Sequence, residues 1–285
     1  MSEFLQDLAR YDFLQRALLA GLLSSVACGV VGSYVVVRRV SYIAGGISHC
    51  VLGGIGAALF LRAALGWGWL TPLYGAALAA LAAAAIIGLV SLRARQREDT
   101  VIGAVWAIGM AVGVLLIART PGYGVDPLSY LFGNILMVTP EDLWLIAGLD
   151  LLVLLLAGLF YNQLLAVCFD EEFARLRGLP VEAYYLLLLG LTALTVVVLV
   201  KVVGIVLVIA LLTLPAAIAG EFARTLRQMM LATGGLCAVF TAGGLALSYT
   251  PDLPAGATII VLAGATYLLT TVATAFRWRR QPQAT

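Results

Sequence analysis

The sequence predicts an all-α polytopic membrane protein with eight or nine transmembrane helices. Hydrophobic residues make up 62% of the 285-residue chain and charged residues only 11%, whereas a soluble domain carries about 25% charged residues. The mean hydropathy is +1.04. The apolar residues also occur in repeated stretches of about 20, the length that crosses the hydrocarbon core of a bilayer.

Nine such stretches follow one another along the chain. The preceding segment, MSEFLQDLARYD, lacks the charge pattern and cleavage site of a signal peptide and is expected to remain on the mature protein. Without a linker or low-complexity tract, residues 1–285 are expected to form one domain. The predicted spans lie near residues 13–36, 41–61, 72–92, 101–118, 142–161, 183–200, 202–220, 229–248 and 256–276.

The basic residues are distributed unequally between the loops on the two sides of the membrane. Cytoplasmic loops carry the excess of Lys and Arg. Twelve of the 17 basic residues fall in one set, which includes Arg38, Arg93, Arg175, Arg224 and Arg277. With nine spans, this bias predicts an external N-terminus and a cytoplasmic C-terminus. An eight-span count would place the N-terminus inside.

Two connecting segments have a composition and charge order that simple loops do not show. Residues 119–143 mix Gly, Pro and aromatics, which is typical of an outer surface helix, a re-entrant piece or an interfacial aromatic belt. From Asp170 to Arg177, acids come first and arginines last, as the helix dipole favours, and Gly178 and Pro180 then stop the helix. The second segment predicts a short amphipathic cytoplasmic helix, which is either merely solvated or a docking surface.

The only histidine, His49, lies within the second span in the stretch GGISHCVLGGIG. An ionisable residue at that depth is costly and indicates a functional site. Gly45, His49 and Gly53 share one helix face, so a packing role, in which small residues bring helices close, is the alternative. Asp150, in the middle of the fifth span, is either a metal-pathway residue or hydrogen-bonded inside the bundle.

Several function classes are excluded by missing motifs. The sole lysine, Lys201, precedes Val202 rather than Ser or Thr, so the chain has no phosphate-binding loop. One histidine cannot form an HExxH metalloprotease site, and no basic run with interleaved aromatics indicates nucleic-acid binding. The four cysteines form no CxxC pair and are expected to be core residues. Because the chain has no phosphate-binding loop, any ATPase must be another polypeptide.

The sixth and seventh spans are predicted to form a helical hairpin. Gly204 marks a tight turn between them, and Lys201 at its outer end can extend to the membrane interface. Pro215 is expected to kink or end the seventh helix by removing one backbone donor, with a hinge as a further role. Glu221, Arg224 and Arg227 would then lie in the next cytoplasmic loop.

The chain resembles the permease subunits of bacterial ABC importers for zinc, manganese and related divalent metals. The resemblance is carried by RRVSYIAGGISHCVLGG, LSYLFGNILMVTPEDL, and the stretch from FDEEFARLRGLPV through VVLVKVVGIVLVIALLTLPAAIA. It implies a type II ABC importer-like permease in the bacterial cytoplasmic membrane that pairs with a second copy of itself. It also implies cytoplasmic ATPase subunits that bind ATP, and an extracytoplasmic protein that delivers the metal.

The resemblance further implies that the helix near residues 170–178 couples the permease to the ATPase. The residues expected in this contact are Phe169, Asp170, Glu172, Arg175 and Gly178. His49 would be a metal ligand in the pathway, with no cofactor bound by this chain. Gly45 stands where the family motif has an aspartate, and loss of that hard oxygen ligand slightly favours zinc over manganese. A gradient-driven transporter and a permease for a metal chelate remain alternatives.

Overall fold

The computed structural model describes residues 2–93, 98–121, 133, 135–251 and 253–280, and this part of the chain is helical, without strands. Within these described ranges, twelve α-helices and one short 3₁₀ turn, Ile135–Met137, follow one another. The helices are α1 (Ser2–Arg10), α2 (Asp12–Val37), α3 (Ser41–Leu65), α4 (Pro72–Arg93), α5 (Glu98–Ala118), α6 (Pro140–Leu159), α7 (Tyr161–Phe169), α8 (Glu171–Leu176), α9 (Val181–Val203), α10 (Ile205–Phe222), α11 (Leu226–Tyr249) and α12 (Ala255–Arg280).

Nine of these helices, α2 to α6 and α9 to α12, are long and apolar enough to cross a membrane within the described residues. They coincide with the nine predicted spans, so the nine-span prediction is confirmed over the eight-span alternative. We refer to the end of the bundle that carries Arg38, Arg39, Arg93, Arg175 and Arg224 as the arginine-rich end. α8 lies at this end, between α7 and α9.

The bundle has two packing centres. α2 is buried among α6, α9, α10 and α11, while α3 packs against α4, α5 and α10. α5 is covered mainly on the face toward α3 and α4, and Ile108 and Leu115 on its other side are more than 60% exposed. The second centre therefore lies near the surface of the chain, and it carries His49.

Glycines let the backbones of α3 and α5 approach closely. A Cβ atom at Gly53 would lie 2.8 Å from the carbonyl oxygen of Gly109, and one at Gly56 would lie 2.6 Å from that of Gly113. Both separations are too short for a real side chain, so this contact requires glycine. The packing role that the sequence suggested for the glycine stripe therefore holds at Gly53.

Pro215 does not end its helix: α10 continues through it to Phe222. The proline cannot donate to the carbonyl oxygen of Leu211, four residues earlier. The Sγ–H of Cys237 on α11 donates to that same oxygen at 3.4 Å. Membrane helices tolerate proline where a neighbouring helix satisfies the freed carbonyl. The predicted loop position of Glu221 is therefore wrong, because Glu221 lies within α10.

The hairpin between α9 and α10 forms as predicted, because Gly204 adopts a φ of +82° that other residues rarely adopt. Arg227, predicted in the following loop, instead lies in the first turn of α11. Nearly half of the segment 119–143, residues 122–132 and 134, lies outside the described residues. Its last part contains the 3₁₀ turn and then Thr139, which caps α6 in a reciprocal pair of hydrogen bonds with Asp142. The helix α7 was not predicted.

Candidate metal pathway and coupling helix

The imidazole of His49 lies on the face of α3 that packs against α5. Its ring stacks on the indole of Trp106, with ring centroids 4.2 Å apart and planes inclined by only 10°. The histidine is half-buried, and its Nδ1 atom is buried without a hydrogen-bond partner in the described part of the chain. Neutral imidazole with an unused nitrogen is a ligand for zinc, copper, iron or nickel.

Trp106 and Ile209 border the position that an aspartate at residue 45 would require. A Cβ atom at Gly45 would lie 3.3 Å from Cδ1 of Ile209 and 3.5 Å from Cζ3 of Trp106. Tyr42, seven residues before His49 on α3, also contacts the tryptophan, with ring centroids 6.0 Å apart. An aromatic wall therefore stands beside His49, and no carboxylate is available from residue 45.

Asp150 is buried at 4% exposure near the middle of α6, and neither carboxylate oxygen has a hydrogen-bond partner among the described residues. α6 packs on α2 and α9, whereas the ring of His49 is covered by α5. Over the described ranges, no three His, Cys, Asp or Glu side chains approach one another closely enough to hold a metal ion. The structure therefore does not bring Asp150 and His49 together.

The predicted amphipathic helix is α8, and its two ends form as the sequence indicated. Oδ1 of Asp170 accepts a hydrogen bond from the backbone N–H of Phe173 at 2.9 Å and so caps the first turn. Gly178 ends the helix at a φ of +75°. The N–H of Leu179 then donates to the carbonyl of Ala174, and that of Gly178 to the carbonyl of Arg175.

One side of α8 is fixed to the bundle and the other is exposed. Ala174 is fully buried against Val167 and Val181. The outward side chains are exposed, as a docking surface requires, and Leu176 is 88% exposed. The exposed residues between positions 169 and 178 are Phe169, Asp170, Glu172, Phe173, Arg175, Leu176, Arg177 and Gly178.

Glu171 connects α8 to the end of α2. Its carboxylate pairs with Arg38, the C-cap residue of α2, and accepts a hydrogen bond from Arg175 at 2.8 Å. These hydrogen bonds, that from Arg38 first, lower the pKa of Glu171. Arg38 also lies over the ring of Tyr185 on α9, 5.9 Å from its centroid. The bond to Arg38 therefore ties the short helix to the bundle, whereas the bond from Arg175 lies within α8.

Sequence reasoning missed three residues of these sites, which are Trp106, Glu171 and Arg38. Trp106 could have been identified from its spacing, because Trp106, Gly109 and Gly113 share one face of a helix at intervals of three and four residues. Glu171 and Arg175 form an ordinary i, i+4 pair that the sequence also displays. The pairing of Arg38 with Glu171 joins residues 133 apart, and no local signal predicts it.

The comparisons with known proteins agree over nearly the whole chain. An uncharacterized membrane protein of Synechocystis sp. is 46% identical, over 94% of this chain and 93% of the relative. Manganese transport system membrane protein MntC of Halalkalibacterium halodurans is 35% identical, over 93% and 89%. The solved structure of PsaBC from Streptococcus pneumoniae in complex with Fab matches with a TM-score of 0.83, at 33% identity and 94% coverage of both chains.

The similarity to the solved PsaBC structure confirms the predicted all-α permease-like fold. The relatives named as transport proteins confirm a multi-pass membrane protein that is not an enzyme. The model of the ABC 3 transport family matches residues 10–274. This match, together with relatives above 30% identity along nearly the full chain, shows that the protein belongs to the ABC 3 transport family.

Proposed function

We propose that this chain is the permease subunit of an ATP-driven importer for a divalent metal ion. The observation that carries the proposal is the half-buried imidazole of His49, the only histidine of the chain, which has an unused Nδ1 atom within the membrane bundle. An ionisable side chain at that depth is expensive and marks an ion path by default. Membership of a transport family supplies the context.

The permease works with partners. In the proposal, a second copy faces the first, so that two His49 side chains line the pathway, and ATPase subunits dock at the arginine-rich end. A separate extracytoplasmic protein delivers the metal. α5 supports a position of His49 near this interface, because it covers the ring on one side and exposes Ile108 and Leu115 on its other.

Movement at the ATPase reaches the pathway through short connections. α8 is tied by Glu171 to Arg38, and α3 begins three residues later at Ser41. His49 lies eight residues into α3, roughly 12 Å along the helix at 1.5 Å per residue. A displacement of α8 during ATP binding therefore moves the end of α2 and the start of α3. The His49 region then opens alternately outward and inward.

The metal is a divalent cation that imidazole can bind. Without a carboxylate at position 45, the ligands near His49 are softer than those of a His–Asp pair, which favours zinc. Relatives named for manganese transport, at 35% identity, support manganese at least as well. Two imidazoles completed by water or backbone carbonyls would hold either ion loosely, as passage requires.

The test is uptake by proteoliposomes that contain the permease with or without its ATPase. The proposal expects uptake of free manganese or zinc that requires both the ATPase and ATP. Uptake driven by a proton gradient in liposomes that contain the permease alone would instead identify a gradient-driven transporter. Uptake of an organic metal chelate but not of the free ions would identify a chelate permease. A comparison of manganese, zinc and iron in the same assay identifies the metal.

A further inference from the structure

A polar cavity of about 390 Å³ lies at the arginine-rich end, away from His49. It is bordered by the turn between α2 and α3, the end of α4, α8 and the start of α9. The cavity between α3, α4 and α5 is almost wholly apolar. By contrast, the side chains around this one include Arg38, Arg39, Arg175, Ser91 and Tyr185.

The charges in this cavity are unequally satisfied. Glu171 is shared between Arg38 and Arg175. Arg39 is exposed and forms no ion pair among the described residues. The remaining carboxylate is that of Glu182, so three guanidinium groups face two carboxylates. The cavity therefore has an excess of positive charge, and Arg39 provides its unpaired cation.

Hydrogen-bond donors without acceptors converge on the same space. α3 and α9 both begin at the cavity, and neither has a side-chain cap at its N-cap residue, Val40 or Pro180. The free N–H groups of a helix N-terminus attract anions. Ser91 lines the cavity, and its Oγ atom is buried without a hydrogen-bond partner in the described ranges.

Arg39 occupies a backbone position that ordinarily belongs to glycine. The N–H of Val40 donates to the carbonyl of Val35, and that of Arg39 to the carbonyl of Val36, as in the motif that ends α8 at Gly178. Arg39 adopts a φ of +62°, the only positive value of a non-glycine residue in the described part of the chain. A strained residue beside a cavity points to a function of its side chain.

We propose that this cavity binds a phosphate group, carried either by the headgroup of an anionic phospholipid or by free phosphate. Arg39, the Ser91 hydroxyl and the first N–H groups of α3 donate to the phosphate oxygens, since guanidinium and helix N-termini both suit phosphate. The spans α2, α3, α4 and α9 all end or begin at this level, which places the cavity at headgroup depth. Bound phosphate would also hold α8 against the bundle through Arg38, Glu171 and Arg175.

The discriminating variant is Arg39→Gly. Glycine suits the positive φ, so the protein without ligand should fold at least as stably as the wild type. It removes the guanidinium, however, and loss of one charged hydrogen-bonding partner should weaken phosphate binding by about tenfold or more. Ser91→Ala should weaken binding by a smaller factor. Arg224→Gln, at the same end but outside this cavity, is the control.

The experiment measures thermal unfolding of the purified permease in nanodiscs, and counts the lipids it retains by native mass spectrometry. Nanodiscs of phosphatidylcholine receive increasing phosphatidylglycerol in one arm and inorganic phosphate, against chloride at equal ionic strength, in the other. Stabilisation of the wild type and Arg224→Gln, but not of Arg39→Gly, supports the site. A response to phosphatidylglycerol alone identifies a lipid, and a response to both or to phosphate alone identifies a general phosphate site.

Equal responses of the wild type and Arg39→Gly, or no response of either, would overturn the proposal. If Arg39→Gly changed only the retention of an ATPase subunit, the cavity would instead be a protein contact, and the proposal would also fail. The assay needs neither ATP nor transported metal. Its failure therefore leaves the proposed transport function to be judged by uptake alone.

Discussion

The α3–α5 contact and the attachment of α8 are held together by opposite means. α3 and α5 meet through glycines, with backbone against backbone at Gly53 and Gly109. α8 is attached by the carboxylate of Glu171 between two arginines, and by the methyl group of Ala174 in a small apolar cluster. The first contact is largely apolar, and the ring of His49 stacks on Trp106 beside it. The second consists largely of charge.

This difference suits the two positions in the membrane. Within the bilayer, close packing of small residues drives helix association. The imidazole of His49 remains available there because its Nδ1 atom has no hydrogen-bond partner among the described residues. At the arginine-rich end, ion pairs cost little to form and to break, because the groups remain partly in contact with water. A rigid contact near His49 and a releasable one at α8 are what the proposed alternating-access mechanism requires.

The largest effect is expected from His49→Ala. Removal of the imidazole should lower metal uptake by the reconstituted importer by more than about tenfold, since even residues that support a metal ligand contribute that much. Assembly should be unchanged, because the ring fills a half-buried position. Asp150→Asn is the comparison, and it should retain uptake because Asp150 lies against other helices. Normal uptake by His49→Ala would leave the imidazole with a packing role only.

Gly53→Ala tests the close contact of α3 and α5. The added methyl group would lie 2.8 Å from the Gly109 carbonyl oxygen, and such overpacking costs about 1–3 kcal/mol of unfolding free energy. The control is Gly190→Ala in α9, where the methyl group meets no atom within 4 Å. It should stabilise the protein by about 0.5–1 kcal/mol. Effects of the same sign, measured by thermal unfolding in detergent, would contradict the close packing.

Glu172→Arg tests the exposed face of α8. The side chain points away from the bundle, so reversal of its charge should leave folding intact and weaken co-purification of the ATPase. An exposed charge at the edge of a protein–protein interface contributes about 1 kcal/mol to binding, which is about fivefold in affinity. Glu141→Arg, at the first turn of α6 and the opposite end of the bundle, is the matched control. Unchanged retention of the ATPase by Glu172→Arg would argue against docking at α8.

The smallest effect concerns pH and Glu171. Because its pKa lies below the ordinary value of 4.5, the ionised carboxylate contributes stability above that pH, and the contribution is lost as pH falls through the lowered pKa. The difference in unfolding temperature between the wild type and Glu171→Gln should be constant from neutral pH to about pH 5 and shrink in more acidic solution.

Partial exposure limits this Glu171 contribution to less than about 1 kcal/mol, and added salt should reduce it further. Glu182→Gln is the control for the loss of one negative charge at the same end. A difference between wild type and Glu171→Gln that persisted unchanged well below pH 4 would contradict the assigned ion pairs.

Local signals in the sequence predicted local features well. The nine spans follow from their apolar length, and the limits of α8 follow from Asp170 as the cap and Gly178 as the stop. The error at Pro215 arose because the donor that satisfies the freed Leu211 carbonyl comes from another helix, at Cys237. The stack of His49 on Trp106 likewise joins two separate spans, so the spacing in α5 places Trp106 on one face with Gly109 and Gly113 but does not place it against His49. Contacts between distant segments depend on packing that one-dimensional periodicity does not contain.

The central claim, that His49 binds the transported ion, can be measured directly because the chain contains a single histidine. Permease labelled with ¹⁵N-histidine, purified through a histidine-free tag and placed in nanodiscs, gives one pair of imidazole nitrogen resonances. Titration with zinc, which is diamagnetic, should shift one of these resonances, and Gly190→Ala should respond like the wild type. If neither resonance moved at zinc concentrations that support uptake, the imidazole would not be a ligand in the pathway.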